Sequence, residues 1–155
     1  MGDTEEELVK VHIDLTGNPD AGGEAMWAKP LGDDLYELRN CPFHAYQLNW
    51  LDVVRATEDS PKLKPSVREV VRRSGHRTIW VTFKESVLPE RRLELLVELN
   101  TWDAYYEGKD ARYFAVDVEP QGDYERVLGR IETWRVGGLL DRYRVGPDDL
   151  DVRNA

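Results

Sequence analysis

Thr78-Ile79-Trp80-Val81-Thr82-Phe83, and the change of period that follows it, decide the fold. The six residues are β-branched or aromatic, the composition of a strand. Directly beyond, Leu88, Leu95, Leu96, Leu99 and Trp102 recur at helical spacing, with Glu90, Arg91, Glu94 and Glu98 outside that stripe. Pro89 suits a first helical turn, and Ser86 or Glu85 is placed to cap it. Arg112–Glu119 then alternates as a strand does, and Pro120 ends it. Asp123 is an N-cap for a second helix whose stripe is Val127, Leu128, Ile131 and Trp134. Gly137-Gly138 stops that helix, and Leu139–Val145 supplies a last strand. The order β-α-β-α-β predicts an α+β unit of the ferredoxin-like, split-βαβ kind.

Upstream the chain is rich in strands. Val67–Arg73 reads as a strand joined to Thr78–Phe83 by a hairpin turn at Ser74-Gly75-His76. The i, i+4 spacing of Arg68 and Arg72 is the argument for a helix there, and the β-branched density with Pro65 ahead of it outweighs that spacing. Val9, Val11, Ile13 and Leu15 alternate with Lys10, His12 and Asp14, the pattern of a half-buried strand. Thr16–Gly23 is a loop by composition. Ala25–Leu31 and Leu35–Leu38 form a hairpin around Gly32-Asp33-Asp34. Asn40-Cys41-Pro42-Phe43 breaks the pattern, and Trp50–Ala56 resumes it. This N-terminal part either closes into a small barrel or adds strands to one sheet. The expected division is residues 1–65 as a β-rich acidic part, 66–146 as the ferredoxin-like part and 147–155 as a polar tail. The five tryptophans fall one to a predicted element, which reads as a core pattern.

Composition narrows the class. In 155 residues, 41% are hydrophobic, 33% charged and 10% aromatic, and the formal net charge is −9. A chain of this length buries roughly 68–70% of its unfolded surface. Residues 1–61 hold thirteen acids against four bases, so the whole excess lies there. Between Lys62 and Arg77 six bases face Glu69 alone. No run of apolar residues is long enough to cross a bilayer as a helix. Cys41 is the one cysteine, so no intrachain disulfide forms. The N-terminus has neither a cationic nor an apolar signal segment, which points to the cytoplasm. Together these features argue against a membrane protein, a generally basic nucleic-acid binder and a disulfide scaffold.

The busiest stretch chemically is Asn40-Cys41-Pro42-Phe43-His44, with an amide, a thiol and an imidazole close together. A Cys–His nucleophile pair would need an orienting group such as Asp52 or Asn49. His12, His44 and His76 lack the spacing of a metal motif. Ser74-Gly75-His76, between Arg73 and Arg77, is a glycine turn able to receive a phosphate or carboxylate. There is no GxGxxG, Walker A or GxSxG pattern, so no catalytic residue, metal or cofactor is assigned. The candidate ligand-binding residues are Asn40, His44, Asp52, Arg73, Ser74, His76 and Arg77.

Glu24, Trp27 and Ala28, then Asn40, Pro42 and Phe43, then Asp52 and Val54, then Ser74, Gly75 and His76 form a frame. It resembles that of the bacterial family known as domain of unknown function 4265. The resemblance covers nearly the whole chain. It implies a bacterial cytoplasmic protein and no particular activity; Asn40, Asp52, Ser74 and His76 serve either as a common site or structurally, with Asn40 and Pro42 for a turn, Asp52 for a hydrogen-bonded strand start, and Ser74 and Gly75 for a hairpin.

Two functions of different class follow. One is a non-catalytic acidic binding protein that engages a partner protein with a basic surface, in the manner of a toxin inhibitor or immunity protein. The alternative is a small-ligand module or enzyme with a pocket between the two halves holding an anionic ligand. Overall charge disfavours nucleic acid, and the exposed edges of a ferredoxin-like sheet allow a homodimer.

Overall fold

The computed structural model describes residues 7–16, 22–61 and 63–146. Lys62, part of the loop after Thr16 and the expected polar tail 147–155 lie outside the described residues. The chain forms an α+β structure with two sheets. The first is a closed five-stranded barrel of β1 (Val9–Asp14), β2 (Gly23–Gly32), β3 (Leu35–Leu38), β4 (Val53–Thr57) and β5 (Ser66–Arg72). Neighbours are antiparallel, except that β1 and β5 meet in parallel at His12 and Ser66 to close it. Asp33 and Asp34 both take positive φ, as the two-residue hairpin between β2 and β3 requires. Val11, Met26, Ala28, Leu38, Val54 and Ala56 fill the barrel.

The second sheet is built from β6 (Arg77–Phe83), α1 (Pro89–Glu98), β7 (Ala104–Gly108), β8 (Tyr113–Val118), α2 (Tyr124–Val136) and β9 (Leu140–Val145). Its strands run in the order β7-β8-β6-β9, all antiparallel to their neighbours. The helices cover one face, where Ile79, Val81, Phe83 and Val116 pack against Leu96, Ile131 and Trp134. The other face carries Trp80 and Ala115. It is covered by Cys41, Phe43 and Tyr46 from the long connection between β3 and β4. Trp80 is almost fully buried there, and its Nε1–H donates to the Pro42 carbonyl at 2.8 Å. An indole buries on the order of 200 Å², about 5 kcal/mol at 25 cal/mol/Å², so packing outweighs the roughly 1 kcal/mol of its hydrogen bond.

Several sequence expectations are corrected. β7 was not anticipated: it is short, mixed in polarity and lies at the sheet edge, so it has no clean alternation. β5 and β6 are not a hairpin. β5 bonds to β4 in the barrel and β6 to β8 and β9, so Ser74-Gly75-His76 carries the chain from one sheet to the other. β5 thereby belongs with the acidic first part. Neither Ser86 nor Glu85 caps α1; Leu88 does so by backbone alone and is exposed. Asp123 does cap α2, accepting from the Arg126 N–H. Trp27 is not a core residue: it is 46% exposed on the barrel exterior, with the Lys10 ammonium 4.5 Å from its ring centre.

Gly75 has φ +95, and a Cβ there would lie 3.3 Å from Pro120 Cγ. Gly75→Ala is expected to cost about 1–2 kcal/mol, the penalty of a left-handed L-residue. Gly129, mid-way along α2 and open to solvent on its Cβ side, is the opposite case. Gly129→Ala is expected to add roughly 1 kcal/mol through helix propensity. Urea midpoints shifting in opposite directions at constant m-value would verify both.

Candidate functional site

The segment from Asn40 to Asp52 sits between barrel and sheet, and carboxylates hold it. Glu24, on β2, accepts three consecutive backbone N–H groups, from Phe43 at 2.6 Å, His44 at 3.0 Å and Ala45 at 2.9 Å. Glu107, on β7, accepts the Cys41 N–H at 2.6 Å. Asn40 Oδ1 accepts the Trp27 N–H and its Nδ2 donates to the Cys41 carbonyl. Asp52 closes the segment. It is fully buried and accepts from the Asn49 N–H, the Ser74 N–H and the Arg73 guanidinium. Burial pushes its carboxyl up from the ordinary range, against the opposing pull of those donors.

Ser74 Oγ donates to the Trp50 carbonyl and accepts from the His76 N–H. Thr78 Oγ1 donates to Asn49 Oδ1. His76 is buried, with Nδ1 held 2.8 Å and 3.0 Å from the two oxygens of the buried Asp117. Burial pushes the His76 pKa down, but the Asp117 hydrogen bond and the charges of Asp117, Glu119 and Asp52 outweigh it, and the net shift is upward. Burial likewise raises Asp117. The pair retains a proton to higher pH than a free histidine does.

Asp52, Arg73, Ser74 and His76 are thus brought together at the junction, where each bonds to the protein itself. Asn40 lies apart, bonding Trp27 and Cys41. Arg77 stacks its guanidinium 3.5 Å from the Tyr124 ring centre, on the helix side of the junction. Cys41 is fully buried, and burial with the neighbouring Glu107 charge pushes its thiol far above the usual value, the opposite of nucleophile activation. His44 stacks on Tyr113 instead, at 5.9 Å and 27°.

His44 leads to a cleft of about 520 Å³ between the connection and the uncovered part of the second sheet. Strand register builds its floor. Arg142, Thr82 and Tyr113 form one cross-strand row and Arg144, Trp80 and Ala115 the next, all on the face opposite the helices. Tyr46 and His44 form the wall. Tyr46 meets Trp80 edge-on at 4.8 Å, and the Arg144 guanidinium lies 4.4 Å from the Tyr46 ring centre. Tyr113 donates its hydroxyl to the Phe43 carbonyl; burial and the Tyr46 hydroxyl raise its pKa, so it stays neutral. Lys109 stands across the cleft on the β7–β8 turn.

Nine arginines elsewhere pair with carboxylates: Arg39, Arg55, Arg68, Arg73, Arg91, Arg112, Arg126, Arg130 and Arg135. Lys109, Arg142 and Arg144 form no ion pair with any carboxylate among the described residues. Among the described residues Asp110 is the one acid lining the cleft; the Arg112 and Tyr113 N–H groups occupy its Oδ1, and with the Arg112 and Lys109 charges they hold its carboxyl below the ordinary range. Sequence reasoning found only His44 of this set. The available signal was Arg142-Tyr143-Arg144: two like charges at i, i+2 on a strand share one face. Among the described residues no three His, Cys, Asp or Glu groups are gathered as for a metal, and no helix is long and apolar enough to cross a membrane.

A closed barrel joined to a helix-covered antiparallel sheet, with a basic cleft at the junction, defines the class of protein by shape. Residues 24–141 match the model of a domain of unknown function, DUF4265, and the chain belongs to that family. A solved structure described as a novel crystal structure of a hypothetical protein from Neisseria gonorrhoeae has the same fold. It superposes at a TM-score of 0.75 with 17% identity, over 92% of this chain and 96% of that one. No curated protein matches. The frame residues from Glu24 to His76 lie within the matched segment.

His76 carries the pH dependence of the junction. Its folded pKa lies above the unfolded value near 6.5, so the stability it contributes is complete below about pH 6.5 and is lost as pH rises through the raised folded value. Wild-type protein is expected to lose unfolding free energy with rising pH across that window, and His76→Asn to show a flatter profile there. Urea titrations at closely spaced pH values report this. Glu24→Ala, which strands three N–H groups, is expected to lower stability by about 2–4 kcal/mol in the same measurement.

Proposed function

We propose that this protein is a small-ligand-binding module that holds an anionic ligand in the cleft between the barrel connection and the second sheet. The observation that carries this reading is the gathering of Lys109, Arg142 and Arg144, unpaired among the described residues, around one cleft of a chain with net charge −9. Cations left unpaired beside aromatic rings repel one another and gain by receiving an anion. The cleft volume falls in the range of roughly 300–1,000 Å³ typical of small-molecule sites.

A second reading has its own support. Asp34 and Glu58 both act on Tyr36, whose pKa is raised by burial and then by these two charges. Asp33 adjoins Asp34 in the same hairpin turn, so three acids stand near Tyr36 in the barrel. That surface suits a basic protein partner of the toxin-inhibitor kind, bound with salt-sensitive association. We also read the second sheet as ferredoxin-like, on the strength of its order β7-β8-β6-β9 and its two helices on one face. The buried free thiol of Cys41 suits a reducing cytoplasm.

Native mass spectrometry of protein purified gently from its own cells distinguishes the two. A retained small anionic mass, lost in the Arg142→Glu/Arg144→Glu variant, is expected for the cleft. A stoichiometric basic protein, retained by that variant and released by salt, would replace the ligand reading with the partner reading.

A further inference from the structure

Resting on the anion-binding reading, we infer that the ligand is nucleotide-type, a planar heterocycle joined to a phosphate. Two features of the cleft divide the work between the two ends of such a molecule. Arg142 and Arg144 are two residues apart on β9 and share a face, so their stems stand roughly 7 Å apart. Arg144 is held by its stack on Tyr46, which presets the guanidinium. Lys109, Arg142 and Arg144 line the same cleft, so more than one positive charge is available to a bound anion. That suits a dianionic phosphate better than a single carboxylate, and guanidinium groups bind phosphate through paired hydrogen bonds.

The other end is aromatic. His44 and Tyr46, both half-buried, wall the cleft, His44 stacked on Tyr113 and Tyr46 edge-on to the buried Trp80. Thr82 lies between Arg142 and Tyr113 in the cross-strand row, with its hydroxyl in no hydrogen bond among the described residues. It offers one donor and an acceptor to the edge of a ring. A phosphate alone would leave the aromatic wall unused, and a sugar phosphate has no π-face to set against it. A single nucleotide also fits the charge better than a polynucleotide does. Asp110 stands at the rim and the chain carries −9, both of which repel an extended polyanion while three local cations serve one phosphate.

The test uses the full chain at low salt, with binding read by calorimetry and by intrinsic tryptophan fluorescence, Trp80 being the tryptophan that lines the cleft. The probes are the four common nucleoside 5′-monophosphates, ribose 5-phosphate and inorganic phosphate. At least one nucleotide is expected to bind roughly tenfold or more tighter than ribose 5-phosphate, within the range a base–ring stack contributes. His44→Ala, which keeps the backbone N–H that Glu24 holds, is expected to erase that advantage while leaving phosphate binding in place. Arg142→Glu/Arg144→Glu is expected to abolish binding of all probes, with circular dichroism unchanged. Equal binding of nucleotides and ribose 5-phosphate overturns the nucleotide inference and leaves the anion-binding reading standing. Absence of binding by every probe overturns both.

Discussion

Three successive backbone N–H groups converge on one carboxylate, that of Glu24, and the arrangement of the two halves depends on it. A connection with no regular secondary structure cannot satisfy its own backbone, and a buried N–H without a partner costs about 1–3 kcal/mol. Glu24 accepts from Phe43, His44 and Ala45 at once. It turns a loop that would otherwise need water into a layer able to lie dry against the second sheet. Once fixed, that layer supplies Cys41, Phe43 and Tyr46 to pack Trp80 and sets His44 against Tyr113. Glu107 and Asp52 repeat the device at the start and end of the connection.

The acidic composition takes on a specific meaning in this light. Much of the excess negative charge is solvated, but Glu24, Asp52, Glu107 and Asp117 point inward and act as backbone or histidine acceptors. Burying a carboxylate is costly; Glu24 and Asp52 are each met by three donors, Glu107 by the Cys41 N–H and Asp117 by the His76 imidazole. Asp52 and Asp117 show the tension directly, since burial raises their pKa values while their donors pull the other way. The same economy explains why Asp52, Arg73, Ser74 and His76 serve the junction. Their polar atoms are bonded to the protein, whereas the cations of the cleft have no such partners.

Periodicity made both helices and most strands legible. The stripes Leu95, Leu96, Leu99 and Val127, Ile131, Trp134 are local patterns, and local patterns survive in one dimension. The strand β7 was not legible, because an edge strand of five residues has little buried surface to impose alternation. The frame containing Asn40, Asp52, Ser74, Gly75 and His76 was legible as a constellation but not as a role. A turn glycine flanked by arginines reads equally well as an anion site or as a crossing between sheets. Of the cleft only His44 was legible: Tyr46, two residues on, carries no signal of its own, and the remaining members come from β6, β8, β9 and the β7–β8 turn, far apart in sequence.

The sequence by itself determined an α+β chain with a strand-rich acidic beginning, two amphipathic helices, no disulfide, and the family frame from Glu24 to His76. All but the frame follow from residue type and spacing alone; the frame rests on the resemblance to the family. Only the tertiary structure decided that β5 closes a barrel instead of pairing with β6, that the inward carboxylates clamp one connection, and that Lys109, Arg142 and Arg144 share a cleft. The reason is physical: which donors and charges are satisfied depends on what lies opposite them across a sheet or a junction. That partnership is set by strand register and packing between segments distant along the chain.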